Sequence, residues 1–133
     1  MNIDDIVFAQ SYDMPIRHPT TDEPLVMADG SPMFVRVLSS DAEPVKALQT
    51  RYRNEALRNP GKRLTAEKIE RRSIDQLVAG TVGWAIEGQG GPIPFSPEAA
   101  REIYSDPKKL WLRNQVTAAI YDDSNFLGES KAA

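Results

Sequence analysis

Apolar positions change their spacing partway along the chain. Over the first forty residues they fall in short runs separated by turn residues. Met14-Pro15-Ile16-Arg17-His18-Pro19 is a short extended piece marked by Pro15 and Pro19, since prolines push their preceding residues towards extended geometry. Thr20-Thr21-Asp22-Glu23-Pro24 is turn chemistry, and Pro24-Leu25-Val26-Met27 is a second apolar run. Asp29-Gly30 then marks a tight turn before Met33-Phe34-Val35-Arg36-Val37-Leu38. In that last run Phe34, Arg36 and Leu38 alternate with Met33, Val35 and Val37, so both faces are largely apolar. The pattern predicts a small antiparallel sheet whose last strand is covered on two sides.

From residue 41 the spacing becomes helical. Ser40-Asp41-Ala42-Glu43 reads as a capping box, with Ser40 as N-cap and Pro44 tolerated in the first turn. Val45, Leu48, Tyr52 and Ala56 form a stripe, and Asn59-Pro60-Gly61 stops the helix. Thr65 caps the next helix, with Glu67 in its first turn and a stripe of Ile69, Ile74, Leu77, Val78, Thr81 and Ala85. That helix is expected to run through Gly80, at a cost of about 1 kcal/mol relative to Ala, but not beyond Glu87. The two helices are expected to pack antiparallel. Gly90 to Phe95 reads as a fixed loop, and Ser96-Pro97-Glu98 as a clean helix start. Asp106-Pro107 repeats the signal before a last helix through Leu110, Trp111, Val116, Ile120 and Tyr121, ending near Asn125. The fold class is therefore α+β: a small N-terminal antiparallel β-sheet or hairpin (1–40), then a mostly α-helical bundle of about four helices (41–127). A flexible tail (128–133) follows, and the whole is expected to form one unit.

Composition narrows the chemistry. The 133 residues are 41% hydrophobic and 26% charged, ordinary for a globular domain. With no Cys, disulfides, thiolate metal sites and a Cys nucleophile are excluded; with one His, so is any site needing two imidazoles. The start Met-Asn-Ile-Asp-Asp-Ile is acidic where a signal peptide would be basic, and apolar runs fall far short of the ~20 residues that span a bilayer. A soluble intracellular protein is expected. Net charge is −3, unevenly spread. Residues 1–40 carry six acids and two bases, 41–75 six acids and nine bases, and 76–133 seven acids and five bases.

Few residues suggest catalysis. His18 lies near Asp22 and Glu23, a set typical of a solvated turn. Ser39, Ser40, Ser73 and Ser96 lack a neighbouring His and a Gly-x-Ser-x-Gly elbow. Gly80, Gly83, Gly88, Gly90 and Gly91 lack the spacing of a phosphate loop. Asp122 and Asp123 diverge at a helix end. No catalytic, cofactor-binding or metal-binding residue is assigned. Two groups remain. The basic block of Arg51, Arg53, Arg58, Lys62, Arg63, Lys68, Arg71 and Arg72 forms one surface if its helices pair. It reads as a solvated face balanced by Glu55, Glu67 and Glu70 (Glu67–Arg71 as an i,i+4 pair), as a patch for an acidic protein, or as a nucleic-acid surface. The late aromatics Trp84, Phe95, Tyr104, Trp111, Tyr121 and Phe126 read either as core or as the lining of a groove for a partner helix.

The order of motifs carries a resemblance. Pro15-Ile16-Arg17-His18-Pro19-Thr20-Thr21-Asp22-Glu23-Pro24 comes first, with Arg63-Leu64-Thr65-Ala66-Glu67 at mid-chain. Val82-Gly83-Trp84, Ile93-Pro94-Phe95-Ser96-Pro97-Glu98-Ala99-Ala100, Ser105-Asp106-Pro107, Leu110-Trp111-Leu112-Arg113-Asn114-Gln115-Val116 and Asn125-Phe126-Leu127-Gly128 follow. Over most of its length the chain resembles the tail assembly chaperones of long-tailed bacteriophages and prophages, with Asp22 where that family commonly has Gly. The resemblance implies a non-enzymatic protein without cofactor that binds the tape-measure protein and keeps it soluble. It also implies recruitment of tail-tube subunits, in some phages through a frameshifted longer form, and self-association is compatible with it. Such a protein works in the host bacterial cytoplasm and is absent from the mature virion. The contact is expected on the last two helices and the Gly83–Ser96 loop, through Trp84, Phe95, Trp111, Val116, Ile120 and Phe126. Alternatives are a structural tail protein of terminator or connector type, and a small nucleic-acid-binding regulator.

Overall fold

The structure, a computed structural model, describes residues 2–127. Its centre is β2 (Phe34–Leu38). Val35 and Val37 point to one side and are fully buried. β2 pairs antiparallel with β1 (Ser11–Pro15), placing Met14 opposite Val35 and Tyr12 opposite Val37. The other face of β2 corrects the expectation of two-sided cover. Arg36 is exposed there, lies 5.6 Å over the Phe34 ring and pairs with Asp13 of β1 at 2.7 Å. A cation within that run holds its face towards water, and the apolar part of Phe34 is covered by the guanidinium rather than by a second layer.

The four helices are α1 (Glu43–Arg58), α2 (Ala66–Ala79), α3 (Pro97–Ser105) and α4 (Leu110–Ile120). The capping box at α1 does not form. The N-cap is Ala42 and makes no side-chain cap bond; the Ser40 N–H instead donates to the Ile120 carbonyl at 3.1 Å. Pro44 lies in the first turn as expected. Of the α1 stripe only Val45 is buried; Tyr52 is half-buried and Ala56 exposed, so the helix extends beyond its packing. Thr65 and Ser96 do cap α2 and α3, accepting from the N–H groups of Lys68 (3.1 Å) and Ala99 (3.0 Å). A 3-10 turn at Pro107–Lys109 leads into α4. α4 stops at Ile120, short of Asn125, because residues Asp123–Phe126 form a separate 3-10 turn that drops Phe126 into the core.

The larger correction concerns residues 81–85. They do not extend α2 but form β3 (Thr81–Ala85), the third strand in the order β1-β2-β3, with a register shift between Arg36 and Val37. The sheet thus takes its third strand from the segment expected to be helical. α2 ends where Gly80 is wedged: a Cβ there would stand 2.9 Å from Ile120 Cδ1 and 3.4 Å from Val45 Cγ2. Beyond it, Thr81 is buried and Val82 exposed, and Gly83, Trp84 and Ala85 are all half-buried, so it is pairing with β2 and not an alternating apolar pattern that makes this segment a strand. A two-stranded hairpin, β4 (Glu87–Gly88) with β5 (Gly91–Pro92), follows; it turns at Gln89–Gly90 and leaves the turn through Gly91, where φ is +110°. One apolar cluster joins sheet and helices, from Met14 and Ile16 through Val35, Leu77 and Tyr104 to Val116 and Phe126. The tail 128–133 lies outside the described residues.

Candidate functional site: an apolar groove

One wall of the site is a loop that has little freedom. Trp84 on β3 donates its indole N–H to the Ile93 carbonyl at 2.8 Å, and its ring meets Phe95 edge-on at 5.0 Å. The Ile93 N–H donates in turn to the Ile86 carbonyl at 2.9 Å. Gly88 lets Ile93 lie close, since a Cβ at 88 would stand 3.1 Å from Ile93 Cδ1. The facing wall is equally tied. Leu25 N–H donates to Ile16 O (2.9 Å), Met33 N–H to Leu25 O (3.0 Å) and Ile16 N–H to Met33 O (3.1 Å). Gln115 of α4 anchors that segment from below, accepting from the Arg17 N–H at 3.1 Å and donating to the Arg17 carbonyl at 2.8 Å.

Between the walls lies a groove of about 930 Å³, floored by Ile16, Ile86, Ile103 and Leu112, with Trp111 among its lining residues. Its polar lining includes Glu87, Asp106, Lys108 and Lys109. The Lys109 ammonium, 2.9 Å away, and the Lys108 N–H hold the Asp106 carboxyl below the usual carboxylate range. An apolar floor with charges of both signs around it suits the greasy face of a helix whose flanks are polar.

Of the expected contact residues, Trp111 lines this groove, while Trp84 and Phe95 stand behind its wall and hold it in place. Val116, Ile120 and Phe126 are a correction: at 0%, 1% and 0% exposure they are core, the first two because the inward side of α4 lies on β2, and Phe126 because the 3-10 turn after α4 carries its ring in against Tyr12. Ile93 falls within the Gly83–Ser96 loop where contact is expected, whereas Leu25, Met33 and Gln115 are not among the expected contact residues. Leu25 and Met33 carry no mark beyond membership of apolar runs, and Gln115 bonds to a residue 98 positions away.

The basic block divides. α1 and α2 do pair, and Tyr52 sits at their contact, donating to Asp75 at 3.2 Å; burial, then Asp75, push its hydroxyl above the ordinary tyrosine range. Arg72 stacks 4.4 Å over the Tyr52 ring and pairs with Glu55 at 2.8 Å. It is thus occupied within the hairpin. Arg51, Arg53, Arg58, Arg63 and Arg71 are exposed. At about 100° per residue, Arg51 and Arg53 flank Tyr52 on opposite sides of α1, so the cations do not share one face. Glu70 pairs with Arg113 at 3.2 Å, and Glu67 and Arg71 form no ion pair among the described residues. His18 is used within its own turn, its Nδ1 accepting from the N–H groups of Thr20 (3.2 Å) and Thr21 (3.3 Å). In that turn Asp22 takes φ +61°, the left-handed geometry for which Gly is the default residue.

Comparison with family models, with curated proteins and with solved structures finds no match for this chain.

Proposed function

We propose that this chain is a tail assembly chaperone of a long-tailed phage or prophage. It binds the tape-measure protein in the host cytoplasm, keeps it soluble, and releases it as tail-tube subunits arrive. The groove lined by Leu25, Met33, Ile93 and Trp111 supports this reading most directly. An unassembled tape-measure protein is a long helical chain with exposed apolar surface, which is an aggregation hazard. A groove whose walls are already fixed takes side chains from one helix face without ordering new backbone, so each copy binds at small entropic cost. The volume accommodates only a short stretch of helix, so affinity per copy is modest and cover of a long chain needs many copies.

The test is co-expression with the tape-measure protein of the same phage or prophage. The tape-measure protein should move into the soluble fraction. A chain carrying Ile93→Asp, verified as folded by circular dichroism, should lose most of that effect. An equally insoluble tape-measure protein with and without this chain sinks the reading. So does this chain in stoichiometric amount in purified virions, which would make it a tail component instead.

A further inference from the structure

We propose that this chain assembles head to tail with itself: the arm formed by residues 3–8 of one copy docks on the tip of the α1–α2 hairpin of the next. The arm is apolar and acidic. Ile3, Ile6, Val7 and Phe8 are 85%, 48%, 54% and 55% exposed, with Asp4 and Asp5 among them. The tip is apolar and basic. Leu57, Leu64 and Ile69 are 74%, 44% and 53% exposed, and residues 51–72 hold eight bases and three acids. The rest of the chain holds sixteen acids and eight bases, so 51–72 is its one strongly cationic stretch, although only part of that charge gathers at the tip. Lys62, Arg63 and Lys68 line a cleft of about 140 Å³ together with Leu64 and the Glu55–Arg72 pair; Glu55 being held by Arg72, three cations there face an incoming carboxylate beside an apolar contact. Two of the three tip carboxylates are already taken, Glu55 by Arg72 and Glu70 by Arg113.

The two surfaces cannot meet within one molecule. The arm is tied down at its base by a Phe8–Leu127 bridge, beside Glu43 and Pro44 at the start of α1. The tip lies at the other end of that 16-residue helix, about 24 Å away along its axis. Complementary patches at opposite ends make a heterologous contact, which propagates into an open chain or closes into a ring. This inference stands apart from the chaperone reading, since neither patch belongs to the groove.

Sedimentation velocity over a range of concentrations tests it, at about 0.1 M and about 1 M salt, where the screening length falls from about 10 Å to about 3 Å. The unaltered chain should associate reversibly, and less so at high salt. D4K/D5K reverses the arm and K62E/R63E the tip; each alone should weaken association by about tenfold or more, since like charges then face each other. An equal mixture of the two variants should associate again, because it restores oppositely charged pairs. A chain that stays monomeric throughout overturns the proposal. So does association that ignores both reversals, or reversed variants that fail to recover on mixing.

Discussion

Two hydroxyls, those of Thr81 and Tyr104, share a buried polar contact. Thr81 Oγ1 donates to the Leu77 carbonyl at 2.7 Å, which leaves its lone pairs for the Tyr104 O–H at 2.8 Å. Tyr104 is 1% exposed, so its hydroxyl has nowhere else to turn. Tyr104→Phe removes one bond and is expected to cost about 1 kcal/mol, whereas Thr81→Val strands both the Tyr104 hydroxyl and its own former acceptor and is expected to cost about 2–3 kcal/mol. Urea unfolding of the two variants reads that order, and equal costs would mean that the pair is not a relay. Burial also pushes the Tyr104 hydroxyl up to about 12. The unfolded chain therefore gives up this proton first. The stabilisation is whole below about pH 10, the ordinary tyrosine value, and drains away as pH climbs towards about 12. The urea midpoint of the unaltered chain should fall more steeply through that window than that of Tyr104→Phe; parallel profiles would place Tyr104 in contact with water.

Helices announced themselves through their caps and strands did so less well, and the junction at Gly80 shows why. Thr65 and Ser96 bond to N–H groups three residues on, so a cap is a local fact that local sequence states. Ser40 had the same local chemistry, but its backbone is bound to Ile120 eighty residues away, and the tertiary contact displaced the cap. Residues 81–85 carry no alternating apolar pattern, and pairing with β2, a distant segment, decided for strand over helix. Gly80 carries that decision. Its φ of −88° is open to any residue, so it is the space that demands glycine. Ala there drives a methyl into Ile120 at 2.9 Å and the Gln76 carbonyl at 3.3 Å, in a packed core. Gly80→Ala is expected to destabilise by about 1–3 kcal/mol, as overpacking does, despite the gain in helix propensity. Ile120→Val should relieve part of that in the double variant, so a thermodynamic cycle should show coupling. Simple additivity would mean that the helix end relaxes some other way.

At the scale of the molecule, the groove was legible only in pieces. Its apolar lining comes from positions 16, 25, 33, 86, 93, 103, 111 and 112, each plain in the sequence as an apolar position and none marked as a neighbour of the others. What unites them is the order β1-β2-β3, which brings the chain's first forty residues against its second half. The same order sets how the protein should respond to a cut. The connection between α1 and α2 is exposed throughout and holds Lys62 and Arg63, just after Arg58 at the end of α1. Every residue from 53 to 71 is exposed, so this hairpin end opens at low cost, whereas Arg36 and Arg113 sit on elements fastened to the core. Trypsin is therefore expected to nick first between residues 58 and 63. β2 remains on the N-terminal fragment and β3 on the C-terminal one, yet β2 is bonded to β3 along its length and Val35 and Val37 stay buried under α4. The two fragments should co-elute on a sizing column in native buffer and separate only in denaturant. Spontaneous separation after the cut would show that the sheet does not join the two halves of the chain as this topology requires.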